Sequence, residues 1–133
     1  MNQNAGTILI ADDEHHIRCV LGDRLRKQGF VVIEAGDGEE ALTLARQHSP
    51  LAIVSDVQMP RMTGLEFAQS AKSDSTLATT PFILLTARSY LAAPDQIAAT
   101  NIHAILAKPF SAREVVDKVM ELLNRGQGMR QAA

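Results

Sequence analysis

Short apolar runs alternate with helix-patterned segments along nearly the whole chain, and this alternation limits the fold more than any other feature. Thr7 to Ala11 is continuously apolar after its first residue, as suits a strand buried on both faces. From about Glu14 the period becomes helical, with Ile17, Val20, Leu21 and Leu25 on one side and Gly29 placed to end the helix. Phe30 to Ala35 is β-branched and strand-like. Asp37-Gly38-Glu39-Glu40 has the spacing of a capping box, opening a helix with Ala41, Leu42 and Ala45 on its apolar stripe. Ser49-Pro50 stops that helix, and Leu51 to Val54 forms a third strand ending at Ser55-Asp56. After a loop containing Met59-Pro60, a third helix is expected from Gly64 to about Lys72. Two further strands are expected, Pro81 to Thr86 and Ala104 to Ala107. Ser111-Ala112-Arg113-Glu114 is a second capping box, before a helix with Val115, Val116, Val119, Leu122 and Leu123 inside.

Strands that are apolar throughout and alternate with helices imply a parallel sheet covered on both faces. Right-handed crossovers restrict the topology to a doubly wound sheet, although periodicity does not give the strand order. The length of 133 residues suits one domain, expected over residues 5–125. Residues 126–133 read as a short polar tail, with no output domain expected.

Composition excludes several classes. With a formal charge of −2 and scattered basic residues, direct nucleic-acid binding is not expected. No apolar run approaches a membrane span, and the polar N-terminus lacks a signal-peptide layout. The single cysteine, Cys19, precludes an internal disulfide, and a cytoplasmic location is expected. Cys19 lies on the first helix with no base evident beside it in the sequence and reads as an inert thiol. His15 and His16 are adjacent, so they point about 100° apart on a helix and make surface residues rather than a chelating pair. Met59 and Met62 read as packing residues for their loop.

The candidate site follows from the strand ends. In an open parallel sheet, ligands bind beyond the C-terminal ends of the strands, where the strand order reverses. Asp12 and Asp13 end the first strand, Asp56 the third, Thr86 the fourth and Lys108 the fifth. Two carboxylates about 5 Å apart repel by roughly 3 kcal/mol at an effective dielectric near 20. Three in a half-buried cleft therefore require either a retained proton or a bound cation. Oxygen-only ligands with an open side favour Mg²⁺, and Lys108 adds a positive charge able to hold an anion. The plainer reading is that these acids are caps and solvated loop residues, with Asp12 or Asp13 capping the first helix. It accounts for one acid better than for five polar residues at the ends of four strands.

These residues also match a known family. From about Thr7 to Asn124 the chain resembles the receiver domain of bacterial two-component response regulators. The matching pieces are Asp12-Asp13-Glu14, Asp56-Val57-Gln58-Met59-Pro60 with Thr63-Gly64-Leu65-Glu66, Leu85-Thr86-Ala87-Arg88, and Lys108-Pro109-Phe110. The resemblance implies a flavodoxin-like doubly wound five-stranded sheet of order 2-1-3-4-5. It implies that Asp56 accepts a phosphoryl group from a sensor histidine kinase or phosphotransfer protein, and that the domain signals through a downstream protein partner. Asp13, Asp56 and the Gln58 backbone carbonyl would ligate Mg²⁺, with Asp12 assisting, and Thr86 and Lys108 would bind the phosphoryl oxygens. A homodimer is compatible with it, and a cis Lys108–Pro109 peptide is implied. The domain would be a signalling module rather than an enzyme acting on an external substrate.

Three positions depart from the family pattern. Ile105 stands where the family has Tyr or Phe, and Asn101 where it has Gly. Pro94 falls in the helix before the last strand, so a short or displaced helix starting near Pro94 is expected, after a longer loop over residues 88–93. Two rivals are a pseudo-receiver, which binds proteins without being phosphorylated, and a phosphatase of the haloacid dehalogenase type. The phosphatase would want its nucleophile on the first strand and a second Asp where Glu14 stands.

Overall fold

The computed structural model describes residues 6–86, 99–107 and 111–132, and the side chains of the last helix as far as residue 123. The elements run β1 (Thr7–Ala11), α1 (His15–Lys27), β2 (Val31–Ala35), α2 (Gly38–His48), β3 (Ala52–Asp56), α3 (Gly64–Lys72), β4 (Phe82–Thr86) and β5 (Ile102–Ala107). The last described helix, here α4, spans Ala112–Ala132, so the polar stretch after residue 125 continues as helix. The helix expected from Pro94 and the Lys108–Pro109 peptide lie outside the described residues. No helix among the described residues is long and apolar enough to cross a membrane.

All four strand pairings are parallel, and the sheet order is β2-β1-β3-β4-β5. Alternation along each strand divides the core in two. Leu9, Ile53, Phe82 and Leu84 join Ala41, Ala45, Phe67 and Ala71 of α2 and α3. Ile8, Ile10, Val54, Ile83 and Leu85 join Leu21, Leu25, Val115 and Val119 of α1 and α4. Phe67 and Phe82 meet edge to face with ring centroids 5.0 Å apart. Since both faces are covered, β1, β3 and β4 have no solvated side, and this is why their sequences lack a polar alternation.

The caps match the local chemistry with some differences. Asp37 accepts from the Glu40 N–H at 2.8 Å, but the Glu40 carboxylate takes the Gly36 N–H rather than that of Asp37. Ser111 and Glu114 make the full reciprocal box, as do Thr63 and Glu66 at the start of α3. Gly29 adopts φ 96° after α1, and α2 ends on Ser49 at φ 45°, a left-handed position without glycine. Val20 is 40% exposed, so the apolar stripe of α1 is narrower than its sequence implies and rests on Leu21 and Leu25, with Ile17 half-buried. Asn101 is not left-handed. Its side chain instead donates to the Ala78 carbonyl and accepts from Lys72 Nζ at 3.0 Å, tying the approach to β5 back to α3. Met59 is buried and Met62 half-buried against the α2–α3 side of the core.

Candidate functional site

Register sets the site. Ala11 pairs with Ser55, so Asp12, one residue on, comes level with Asp56 at the C-terminal edge of the sheet. Asp56 pairs with Leu85 and Thr86 with Ala107, so the Thr86 hydroxyl lies one residue beyond the Asp56 level. β1 and β3 are neighbours, and the chain leaves β1 toward β2 but leaves β3 toward β4, so the switch point of the doubly wound sheet lies between them.

Asp12, Asp13 and Asp56 each offer a carboxylate oxygen within 4.8 Å of the others. Asp12 is fully buried and Asp56 is 4% exposed, whereas Asp13 faces solvent. The trio therefore has a closed floor and one open side. At an effective dielectric near 20, each ionised pair at this spacing costs about 3–4 kcal/mol. The donors are all hard oxygens, and their spread is close to the span of an oxygen-coordinated divalent cation, so the residues fit such an ion.

The plainer reading of the acids as helix caps does not hold for α1. Its N-cap is Glu14, without a side-chain cap bond. Asp12 Oδ1 does accept the Glu14 N–H at 2.9 Å, which orients the carboxylate within the turn. Gln58 is exposed in the loop after β3. That loop has a constrained shape: Met62 N–H donates to the Pro60 carbonyl at 2.7 Å across Arg61, whose φ is 69°. This is a three-residue turn of the strained hand. Arg61 reaches Asp37 at 3.3 Å, linking the loop to the start of α2. The loop closes where Gly64 N–H donates to the Val57 carbonyl at 2.9 Å.

Thr86 is 6% exposed at the end of β4. Lys108 follows the last residue of β5 and lies outside the described residues. The structure thus brings together Asp12, Asp13 and Asp56, and places Thr86 and Gln58 on the adjoining strand end and loop. Ile105 is half-buried on β5, packed against the α2–α3 side of the core. A surface groove of about 660 Å³ lies elsewhere, between α2 and α3, and is lined by Arg46, Arg61, Glu66 and Asp74. Its Arg46 is paired to Asp74 at 2.5 Å.

Sequence reasoning missed one neighbour of the site and one side-chain pair on α1. Arg18 donates to the Asp12 carbonyl at 2.6 Å and to Glu34 at 3.3 Å. His15 Nε2 lies 3.3 Å from Cys19 Sγ, so the thiol does have an imidazole beside it. The four-residue helical spacing of His15 and Cys19 was the available signal for that pair.

The fold and cleft define a flavodoxin-like doubly wound α/β domain with a cluster of three carboxylates at the switch point. The response regulator receiver domain model matches residues 8–120, and the chain belongs to that family. It is 38% identical over 127 residues to the probable transcriptional regulator ycf27 of Cyanophora paradoxa, covering 94% of this chain and 51% of that protein. The chain thus spans about half the length of such curated relatives. The chemotaxis response regulator CheY4 of Vibrio cholerae superposes with a TM-score of 0.78 at 31% identity, covering 86% of this chain and 96% of that one. The receiver domain of the sensor histidine kinase PA1611 from Pseudomonas aeruginosa, described with magnesium coordinated in its active-site cleft, shares the fold. Its TM-score is 0.76 at 24% identity, over 87% of this chain and 95% of that one.

Proposed function

We propose that this chain is a phosphorylation switch in which Asp56 is the phosphoryl acceptor. The observation that carries the reading is the meeting of Asp12, Asp13 and Asp56 at one strand edge, with Asp56 almost buried. Asp12, Asp13, Asp56 and the Gln58 backbone carbonyl would hold Mg²⁺. A bound Mg²⁺ would offset the charge of the phosphoryl oxygens as they approach the carboxylates.

The reaction needs little beyond alignment. An Asp56 carboxylate oxygen forms a bond to phosphorus as the P–N bond to the donor's imidazole breaks. The nitrogen keeps the electron pair and takes up a proton. The Thr86 hydroxyl donates to a phosphoryl oxygen, and the Lys108 ammonium balances the charge of the acyl phosphate. The donor is a phosphohistidine on a sensor kinase or phosphotransfer protein, the setting is cytoplasmic, and a separate protein reads the phosphorylated state.

Incubation with acetyl phosphate and Mg²⁺ should add about 80 Da, the mass of one phosphoryl group, to the wild type and none to Asp56→Ala. An adduct that persists in Asp56→Ala would sink the assignment. A second reading, a phosphorylation-independent binding module, draws on Ile105. An aliphatic residue packed at that place lacks the aromatic ring that receivers couple to their threonine. Backbone NMR shifts around Ile105, with and without beryllofluoride, separate the two. A full displacement of that face supports the switch, and none supports the binding module.

A further inference from the structure

The acidic turn after β1 is held from outside by one guanidinium. Arg18 lies one turn into α1, and its side chain is only 17% exposed. It uses three separate nitrogens: Nη1 donates to the Asp12 carbonyl at 2.6 Å, Nε to Glu34 Oε1 at 3.3 Å, and Nη2 faces His15 Nδ1 at 3.3 Å. A guanidinium has no acceptor, so this contact is a hydrogen bond only where His15 Nδ1 accepts, and the other ring nitrogen, Nε2, lies 3.3 Å from Cys19 Sγ. Glu34 is fixed in turn by Arg26 at 3.1 Å. Each partner of Arg18 therefore has a second anchor of its own.

The Asp12 carbonyl belongs to the peptide that joins the two adjacent carboxylates. Its oxygen is tied to Arg18, and at the next peptide along the chain the Glu14 N–H is tied to Asp12 Oδ1. With the Asp12 N–H, which donates to the Ala35 carbonyl at 3.1 Å, these bonds hold the turn from which Asp12 and Asp13 face Asp56. We propose that Arg18 is a positioning residue for the cation cleft, fixing the Asp12–Asp13 peptide in the geometry that brings both carboxylates to one ion. The inference rests on the reading of the cleft as a Mg²⁺ site.

Charge and position act in opposite directions here, which makes the role testable. As a bare positive charge near the cleft, Arg18 would oppose Mg²⁺, and its removal would tighten binding. As a positioning group, its removal loosens the turn and weakens binding. Glu34, 3.3 Å from Arg18, offsets part of the charge, and Arg26, the other cation on Glu34, also pairs with Asp23, so position should dominate. Groups that orient metal ligands change affinity by about 10–100-fold when removed, and an arm that holds backbone belongs at the lower end.

The test is calorimetric titration of MgCl₂ into wild type, Arg18→Gln, Arg18→Lys and Glu34→Gln, with urea midpoints in EDTA to establish that each variant is folded. Arg18→Gln should raise the Mg²⁺ Kd about tenfold. Arg18→Lys should fall between it and wild type, because one ammonium cannot hold three acceptors in a fork. Glu34→Gln should weaken binding as well, since it leaves the guanidinium uncompensated. A Kd that is unchanged or tighter in Arg18→Gln, or wild-type affinity in Arg18→Lys, overturns the inference, as does a wild type that binds no Mg²⁺. Acetyl phosphate labelling of the same wild-type preparation keeps the two readings apart. Mg²⁺ binding without an adduct refutes the phosphorylation switch and leaves the role of Arg18 standing.

Discussion

Alanine at Gly64 would force apart the two elements that shape the acceptor loop. A Cβ there would lie 2.3 Å from the Asp56 carbonyl oxygen, 3.0 Å from Val57 Cα and 3.1 Å from the Asp56 carbonyl carbon. These are backbone atoms, so no side chain can swing away. An ordinary carbon–oxygen contact of about 3.3 Å demands that the start of α3 and the end of β3 separate by roughly 1 Å. That movement breaks the 2.9 Å bond from Gly64 N–H to the Val57 carbonyl, which costs about 1 kcal/mol. Overpacking adds about 1–3 kcal/mol, and the better helix propensity of alanine returns less than about 1 kcal/mol at a first helical position. The net loss is about 2–3 kcal/mol, which in a domain of this size lowers Tm by roughly 6–15 °C. Because the chain has no Trp, urea unfolding followed by far-UV circular dichroism is the suitable assay. The displaced Asp56–Val57 peptide also precedes Gln58, so stabilisation by added MgCl₂ should shrink along with the midpoint. Gly22→Ala provides the contrast. Its nearest atom is the far end of Arg26 at 3.0 Å, and a mid-helix glycine replaced by alanine should gain about 0.5–1 kcal/mol. A Gly64→Ala protein with a urea midpoint at or above wild type, and full Mg²⁺ stabilisation, would refute the reasoning.

Two further outcomes are expected. Ser49 holds φ 45° at the end of α2, so Ser49→Gly should stabilise the protein by about 1 kcal/mol, read as a higher urea midpoint. Asp74 accepts from Thr76 and pairs with Arg46, which together hold its pKa at about 2, below the usual 3.8. Its folded pKa is depressed, so its stabilisation is complete above about pH 4 and fades as pH falls toward 2. The difference in unfolding midpoint between wild type and Asp74→Asn should therefore narrow over that acid range, and a constant difference would contradict the assignment.

The sequence alone was enough to determine the alternation of strands and helices, the parallel sheet and the candidate carboxylates. Each rests on local signals: continuous apolar runs, capping spacings, and acids that interrupt apolar strand ends. The strand order came from resemblance, because the pairing of β1 with both β2 and β3 is a long-range choice that no local pattern encodes. Tertiary structure alone decided that Ala11 pairs with Ser55, and this register turns three acids distant in sequence into a cluster within 4.8 Å. It also decided that Val20 faces solvent, since the width of a buried stripe depends on what packs against the helix. The side-chain bonds of Asn101 to Lys72 and the Ala78 carbonyl, far off in sequence, are likewise a tertiary outcome that no local pattern encodes. Arg18 could not be singled out among the 13 basic residues. Its bond to the Asp12 carbonyl exists only because α1 folds back over the end of β1 beside Glu34.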